Sequence, residues 1–310
     1  MDLMKIRPPR TVPIPDSDKE SSYQWHPGFH LDAMMRVSKS SLGASDFCMQ
    51  QYFIKYVLGV KEPPNDAMTR GSNVHDAIDD WYANFDLDHA IKLKSKGYHA
   101  VLEWFLSLMP ESNPERGDFE LGEQEHLRKI MVVEARRFMD CDSKYFLPVG
   151  NEVPLNAIVQ IKGVTVHLNG IVDRLFEDSE GNLHIHELKT GKWKESKFKW
   201  EGMREEMAFY AYLIKHCNHE EFGGRDALFW GWDYTGGDDL FRGREPVRVQ
   251  EIQSMLKKLD ELVSTHIQYD GLQHGRQFDL IDPYRQETVC EPWCKLKGFC
   301  PRYGEVMKFE

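Results

Sequence analysis

The chain has 310 residues, 41% of them hydrophobic and 12% aromatic, which suits one large globular domain or two modest ones. No apolar run approaches the roughly 20 residues of a membrane helix. The start, MDLMKIRPPRTVPIPDSDKE, lacks the apolar stretch of a secretory signal, so the expected location is the cytoplasm, off the membrane. A net charge of −11 argues against a broad non-specific nucleic-acid surface but leaves room for a local one.

Proline and charge dominate the first thirty or so residues, and 1–37 is read as a flexible arm. SKSSLGASDFCMQQYFIKYVLGV (38–60) reads as a helix, capped by Ser40, Ser41 or Ser45, with Cys48 near its start. PPNDA (63–67) ends it. A second helix starts near Thr69, with Val74, Ile78 and Trp81 as its apolar stripe. His75 lies one residue off that stripe, and Asp79, one turn on, is placed to orient it. More helix is expected over 88–108 and 121–140. Near 150 the period changes. EVPLNAIVQI (152–161), VTVHLNGIVDRLF (164–176) and LHIHELKT (183–190) read as a meander of strands, with Lys162-Gly163 and SEGN (179–182) as turns. A helix follows over 203–217, with Met203, Met207, Tyr210 and Ile214 on one stripe and Glu206 one turn before Tyr210. ALFWGWDYT (227–235) reads as a strand and 246–268 as an amphipathic helix. The core block is therefore 38–270, and 271–310 is a cysteine-bearing region.

Three constellations carry chemistry. Leu183, Ile185, Glu187 and Lys189 share one face of a strand, so a carboxylate and an ammonium continue a half-buried stripe. Asp173 on the preceding strand can join them. Burying such groups costs several kcal/mol unless they pair or bind metal. The set is thus either a structural ion pair or a cation site beside a lysine, as phosphodiester hydrolysis uses. The second is KTGKWKESKFKW (189–200), where Lys189, Lys192, Lys194, Lys197 and Lys199 face a single acid, Glu195. It is a phosphate-binding patch or a solvated loop. Trp193, Trp200, Trp230 and Trp232 are candidates to stack on unpaired bases, or core residues. The third is CEPWCKLKGFCP (290–301): Cys290, Cys294 and Cys300, with Cys48 as a distant fourth, can bind one centre, Zn²⁺ or an iron–sulfur cluster. The solitary fourth ligand favours the cluster over a zinc ribbon. Cys141 and Cys217 read as buried thiols.

Assembled, these residues resemble the PD-(D/E)XK nucleases of the RecB type, in the iron–sulfur branch that includes the CRISPR-associated RecB-like exonucleases, the AddB nuclease domain and exonuclease V. The resemblance covers roughly residues 38–303. It implies an α/β fold with a restriction-endonuclease-like core, a central mixed sheet flanked by helices, plus a helical N-terminal region and a C-terminal iron–sulfur clamp. GSNVH makes His75 a metal ligand, GIVDRL makes Asp173 the central carboxylate, and ELKTGK makes Glu187 the second carboxylate and Lys189 the catalytic lysine. The Leu188 carbonyl would complete a Mg²⁺ or Mn²⁺ site. Tyr210 matches the family's tyrosine, but Glu206 stands where the family has Gln. Cys48, Cys290, Cys294 and Cys300 match the ligands of a 4Fe-4S cluster, with three residues rather than two inside the first downstream pair. The resemblance implies a stand-alone DNA nuclease, an exonuclease acting on single-stranded or end-containing DNA. Its protein partners would belong to repair, recombination, phage replication or CRISPR adaptation. A non-catalytic DNA-binding or adaptor protein on the same fold is the alternative, and a zinc-stabilised protein with another substrate is a third.

Overall fold

A computed structural model describes residues 24–25, 35–52, 55–56, 60–61, 65–113, 117–268, 286–294 and 296. The main elements in chain order are β1 (Met35–Ser38), α1 (Lys39–Phe47), α2 (Asp66–Ala83), α3 (Leu87–Lys94), α4 (Tyr98–Ser107) and α5 (Leu121–Asp140). They continue with β2 (Gly150–Ile161), β3 (Val164–Glu177), β4 (Leu183–Lys189), α6 (Lys197–His216), β5 (Ala227–Tyr234), β6 (Phe241–Pro246) and α7 (Val249–Gln268). The chain divides into two compact units, one within 1–63, 157–169 and 253–310, the other within 64–156 and 170–252.

In the second unit the strand order is β6-β5-β4-β3. β6 runs antiparallel to β5, β5 parallel to β4, and β4 antiparallel to β3, so the sheet is mixed. β4 is buried on both faces, as its apolar run dictates. Leu183 and Ile185 are fully buried on the face they share with Glu187, and Leu188 is buried on the other. Leu188 joins an apolar cluster built by α2, α4 and α5, in which Val74, Ile78, Trp81, Phe105, Ile130 and Phe138 are buried. α2 begins where Asn65 accepts the Met68 N–H, and that cap starts it three residues earlier than the apolar stripe indicated. The helix expected over 88–108 is two, α3 and α4, because Gly97 turns the chain at φ +99. Likewise α6 starts at Lys197 rather than 203, because Ser196 caps it through the Lys199 N–H. The last third of the lysine run, from Lys197, is therefore helix.

In the first unit β1 pairs in parallel with the opening of β3, Met35 opposite Val166 and Val37 opposite Leu168. The strand starts inside the stretch read as an arm, and Val37 is fully buried. Ser38 and Ser41 form a reciprocal capping box on α1, so the cap is Ser38 and not a later serine. α1 stops at Phe47. Cys48 then adopts an extended conformation before a short helix, Met49–Tyr52, so the single helix expected over 38–60 is interrupted at the cysteine. β2 and β3 form a hairpin through Lys162 and Gly163, both at positive φ. Lys258 on α7 pairs with Asp46 at 2.7 Å, and Lys162 with Asp260 at 2.7 Å. No helix among the described residues is long and apolar enough to cross a membrane.

Candidate active site

The site forms where β3 and β4 part. Their ladder pairs Glu177 with Leu183, Phe176 with His184, Leu175 with Ile185 and Arg174 with His186. One step further the register sets Asp173 opposite Glu187, on the same face of the sheet. The backbone ladder ends there, and the Leu188 N–H donates instead to Asp173 Oδ2 at 2.7 Å. With its side chain locked in the helical core, Leu188 holds its carbonyl in place.

His75 reaches this point from α2. Its Nε2 lies 3.1 Å from the Leu188 carbonyl oxygen, and its Nδ1 lies 3.0 Å from Glu152 Oε1 and 3.8 Å from Asp173 Oδ2. Both ring nitrogens face acceptors. Burial disfavours the imidazolium, but the Glu152 hydrogen bond and the Asp173 charge outweigh it and raise the His75 pKa. Donor atoms of His75, Glu152 and Asp173 all lie within 4.8 Å of one another.

Beside this group, Lys189 Nζ donates to Glu187 Oε1 and to Glu206 Oε1, the latter at 3.3 Å. Burial works against the ammonium, yet Glu187, Glu206 and Asp173 together raise its pKa. The Glu187 carboxylate is pushed up by burial first and by Asp173 second. Its Oε2 is buried with no hydrogen-bond partner among the described residues. Tyr210 lies one turn from Glu206 on α6, and its ring crosses Gly170, where an added Cβ would stand 2.9 Å from Cε1. Burial first, then the charges of Glu187 and Glu206, raise its phenol pKa.

This donor set suits a hard divalent cation. Carboxylates set opposite each other repel, an imidazole is held among acceptors, and a buried carboxylate oxygen lacks a donor. His75, Asp173, Glu187, Leu188, Lys189, Glu206 and Tyr210 all come together at this end of the sheet. Glu187 stands outside the tight three-residue group because it turns toward Lys189.

One feature differs from expectation. Glu152, not Asp79, takes the Nδ1 side of His75. Asp79 is close by, its carboxyl pushed up to about 7 by burial and by Glu152. Nothing in the sequence singled out Glu152, an isolated acid at a strand opening with no spacing relation to His75. The structure marks it by its backbone: at φ +43 it is left-handed, a conformation that costs an L residue roughly 1–2 kcal/mol. The cysteines are a separate matter. Cys290 and Cys294 flank the short helix Glu291–Trp293, and the Cys294 N–H donates to the Cys290 carbonyl at 3.3 Å. The three-residue spacing is therefore one helical turn, which puts both on one side of it. Cys300 lies outside the described residues.

The family model of the PD-(D/E)XK nuclease superfamily matches residues 36–301, nearly the whole chain. The chain belongs to the PD-(D/E)XK nuclease superfamily. Nucleases of this superfamily hydrolyse nucleic-acid phosphodiesters with the help of divalent metals. The mixed sheet flanked by helices is the core of that superfamily. No curated protein sequence matches the chain. Among solved structures, a Eubacterium rectale protein carrying the name "Putative exonuclease" is 12% identical, with a TM-score of 0.43 over 81% of this chain and 92% of that one. The protein SSO0001 is 13% identical, with a TM-score of 0.33 over 49% of this chain; the chain spans 60% of its length.

Proposed function

We propose that the protein is a Mg²⁺- or Mn²⁺-dependent deoxyribonuclease, an exonuclease acting on single-stranded or end-containing DNA. The observation that carries the cleavage site is the convergence of His75, Asp173, Glu187 and the Leu188 carbonyl where β3 and β4 part, with Lys189 alongside. Those residues would hold the cation, and Glu152 is within reach of the same place. When bound, the cation polarises the scissile phosphate and acidifies water. In the reaction a water oxygen forms a bond to phosphorus, the P–O bond to the leaving nucleotide breaks, and a proton passes to the leaving oxygen. Lys189, kept as an ammonium by Glu187 and Glu206, donates hydrogen bonds to phosphate oxygens as negative charge builds on them. Tyr210 lies where its hydroxyl can orient the strand. The preference for ends rests on the resemblance to stand-alone RecB-like nucleases.

The second part of the proposal is a 4Fe-4S cluster on Cys48, Cys290, Cys294 and Cys300, forming a subdomain from 271–310 and the α1 end. The supports are the single-turn placement of Cys290 and Cys294 and the membership of Cys48, Cys290 and Cys294 in one compact unit. Four thiolates also imply a reducing interior as the protein's location. Protein purified without oxygen should be brown, absorbing broadly near roughly 400 nm as thiolate-bound iron does. Colourless protein holding one zinc would replace the cluster with zinc and leave the nuclease reading standing.

Incubation with linear duplex, closed circular and single-stranded DNA, with and without Mn²⁺, tests the activity. Mn²⁺-dependent loss of linear and single-stranded DNA with circles spared is expected. Equal cutting of circles would make the enzyme an endonuclease, and no cleavage of any substrate would favour a non-catalytic DNA-binding protein.

A further inference from the structure

Four aromatic side chains and a row of lysines lie just past the catalytic strand, and the proposed cleavage chemistry uses none of them. Lys189 at the end of β4 pairs across the ladder with Tyr234 of β5, so the two side chains share a face of the sheet. Beyond it the loop stays bonded to β5: the Thr235 N–H donates to the Lys189 carbonyl at 3.0 Å, and the Gly236 N–H to the Gly191 carbonyl at 3.2 Å. This fixes Trp193 close to the site. Its ring lies 5.0 Å from that of Tyr234, stacks on Phe241 at 4.8 Å and 14°, and meets Trp200 edge-on at 4.9 Å. Trp193 and Trp200 are only half-buried, whereas Trp230 and Trp232 are core residues at 1% and 4% exposure and are unavailable for stacking. Lys192, Lys194 and Lys197 are exposed around the cluster, and Lys199 places its ammonium 4.8 Å from the Trp193 ring centre.

We infer that Trp193, set on Phe241 and ringed by these lysines, is a shelf for an unpaired base of the strand whose phosphate reaches Lys189. A half-buried indole backed by Phe241, with only the mobile Lys199 ammonium over its ring, offers a surface on which any base can stack once a phosphate draws Lys199 aside, without sequence preference. The lysines supply the sign of charge that a nucleic-acid backbone needs, on a chain whose net charge of −11 otherwise repels it. A duplex keeps its bases stacked on each other, so only a single strand or a frayed end can use the shelf. The inference rests on the nuclease reading and adds to it a reason for choosing unpaired DNA.

The test is equilibrium binding to the full-length protein, in EDTA, of a dye-labelled oligothymidylate and of an abasic deoxyribose-phosphate strand of equal length and charge. Oligothymidylate is expected to bind at least about fivefold more tightly. Trp193→Ala should erase that difference while leaving the abasic affinity unchanged, which also reports an intact fold, and Trp193→Phe should keep most of it. Equal affinities in the parent protein, no binding of either strand, or a preference that survives Trp193→Ala would overturn the inference. Cleavage with Mn²⁺ is scored separately. A protein that prefers bases but cuts nothing keeps the shelf and loses the nuclease reading, and one that cuts without preferring bases does the reverse.

Discussion

Lys189 is held from two sides by carboxylates, and that arrangement decides its part in the proposed reaction. An ammonium so held serves as a donor to the phosphate and not as a base. Lys189→Ala should lower DNA cleavage by roughly 10²–10³-fold, the usual effect of removing one transition-state donor. Parent-like cleavage by that variant would mean the site is misassigned. Glu152 makes the complementary case. It keeps a left-handed backbone and stands among other acids, so it costs stability where it serves the site. Glu152→Gly should raise metal-free stability by roughly 0.5–1 kcal/mol while weakening Mn²⁺-dependent cleavage. Thermal unfolding in EDTA and a Mn²⁺ titration of activity measure the two halves. A variant less stable than the parent would show that the His75 contact outweighs the backbone strain.

Glycines govern the packing of the elements at the site. At Gly170 on β3 an added Cβ would stand 2.9 Å from the Tyr210 ring, and at Gly243 on β6 it would stand 2.0 Å from Trp232. Gly170→Ala should displace Tyr210, cost about 1–3 kcal/mol and slow cleavage, whereas Gly243→Ala should cost a similar amount. Denaturant unfolding and rate measurements on both variants check this. An unperturbed Gly170→Ala protein would show that Tyr210 has room to move. The residues that build these elements were legible in different degrees. α5 and the strands β2 to β4 follow from period and turn residues alone, and so does the shared face of Glu187 and Lys189. β1 was not legible, because its partner in β3 lies far along the chain and no local pattern announces a parallel pairing. β6 reads FRGREP, without alternation and ending in proline, as an edge strand can. Glu152 was missed for the same reason as β1: its meaning lies in a contact with His75 from a different element.

At the scale of the molecule, a buried charge network supports the site-bearing unit from the other face of the sheet. Glu134 on α5 accepts hydrogen bonds from Tyr82 and Arg137 and pairs with Arg242, while Asp233 on β5 pairs with Arg242 and His186. Burial opposes both carboxylates. The arginines beside Glu134, and Arg242 with His186 beside Asp233, overcome it and hold both pKa values below the usual carboxylate range. Groups depressed in this way stabilise the fold above their unfolded values near about 4 and lose that contribution as pH falls toward the folded ones. The thermal midpoint should therefore drop steadily below about pH 4, and Glu134→Gln, which takes the carboxylate from half-buried Arg137 while Arg242 keeps Asp233, should cost roughly 1–3 kcal/mol at neutral pH. A midpoint flat from pH 5 to pH 3 would remove the network from the account. The site itself lies where β3 and β4 part, with Asp173 accepting the Leu188 N–H and facing His75. Its role in cleavage is tested most directly by Mn²⁺-dependent release of nucleotides from linear single-stranded DNA, with the parent protein and Asp173→Ala side by side. Release by the parent and none above background by a folded Asp173→Ala is expected; equal release by both would contradict the assignment of Asp173 to the site.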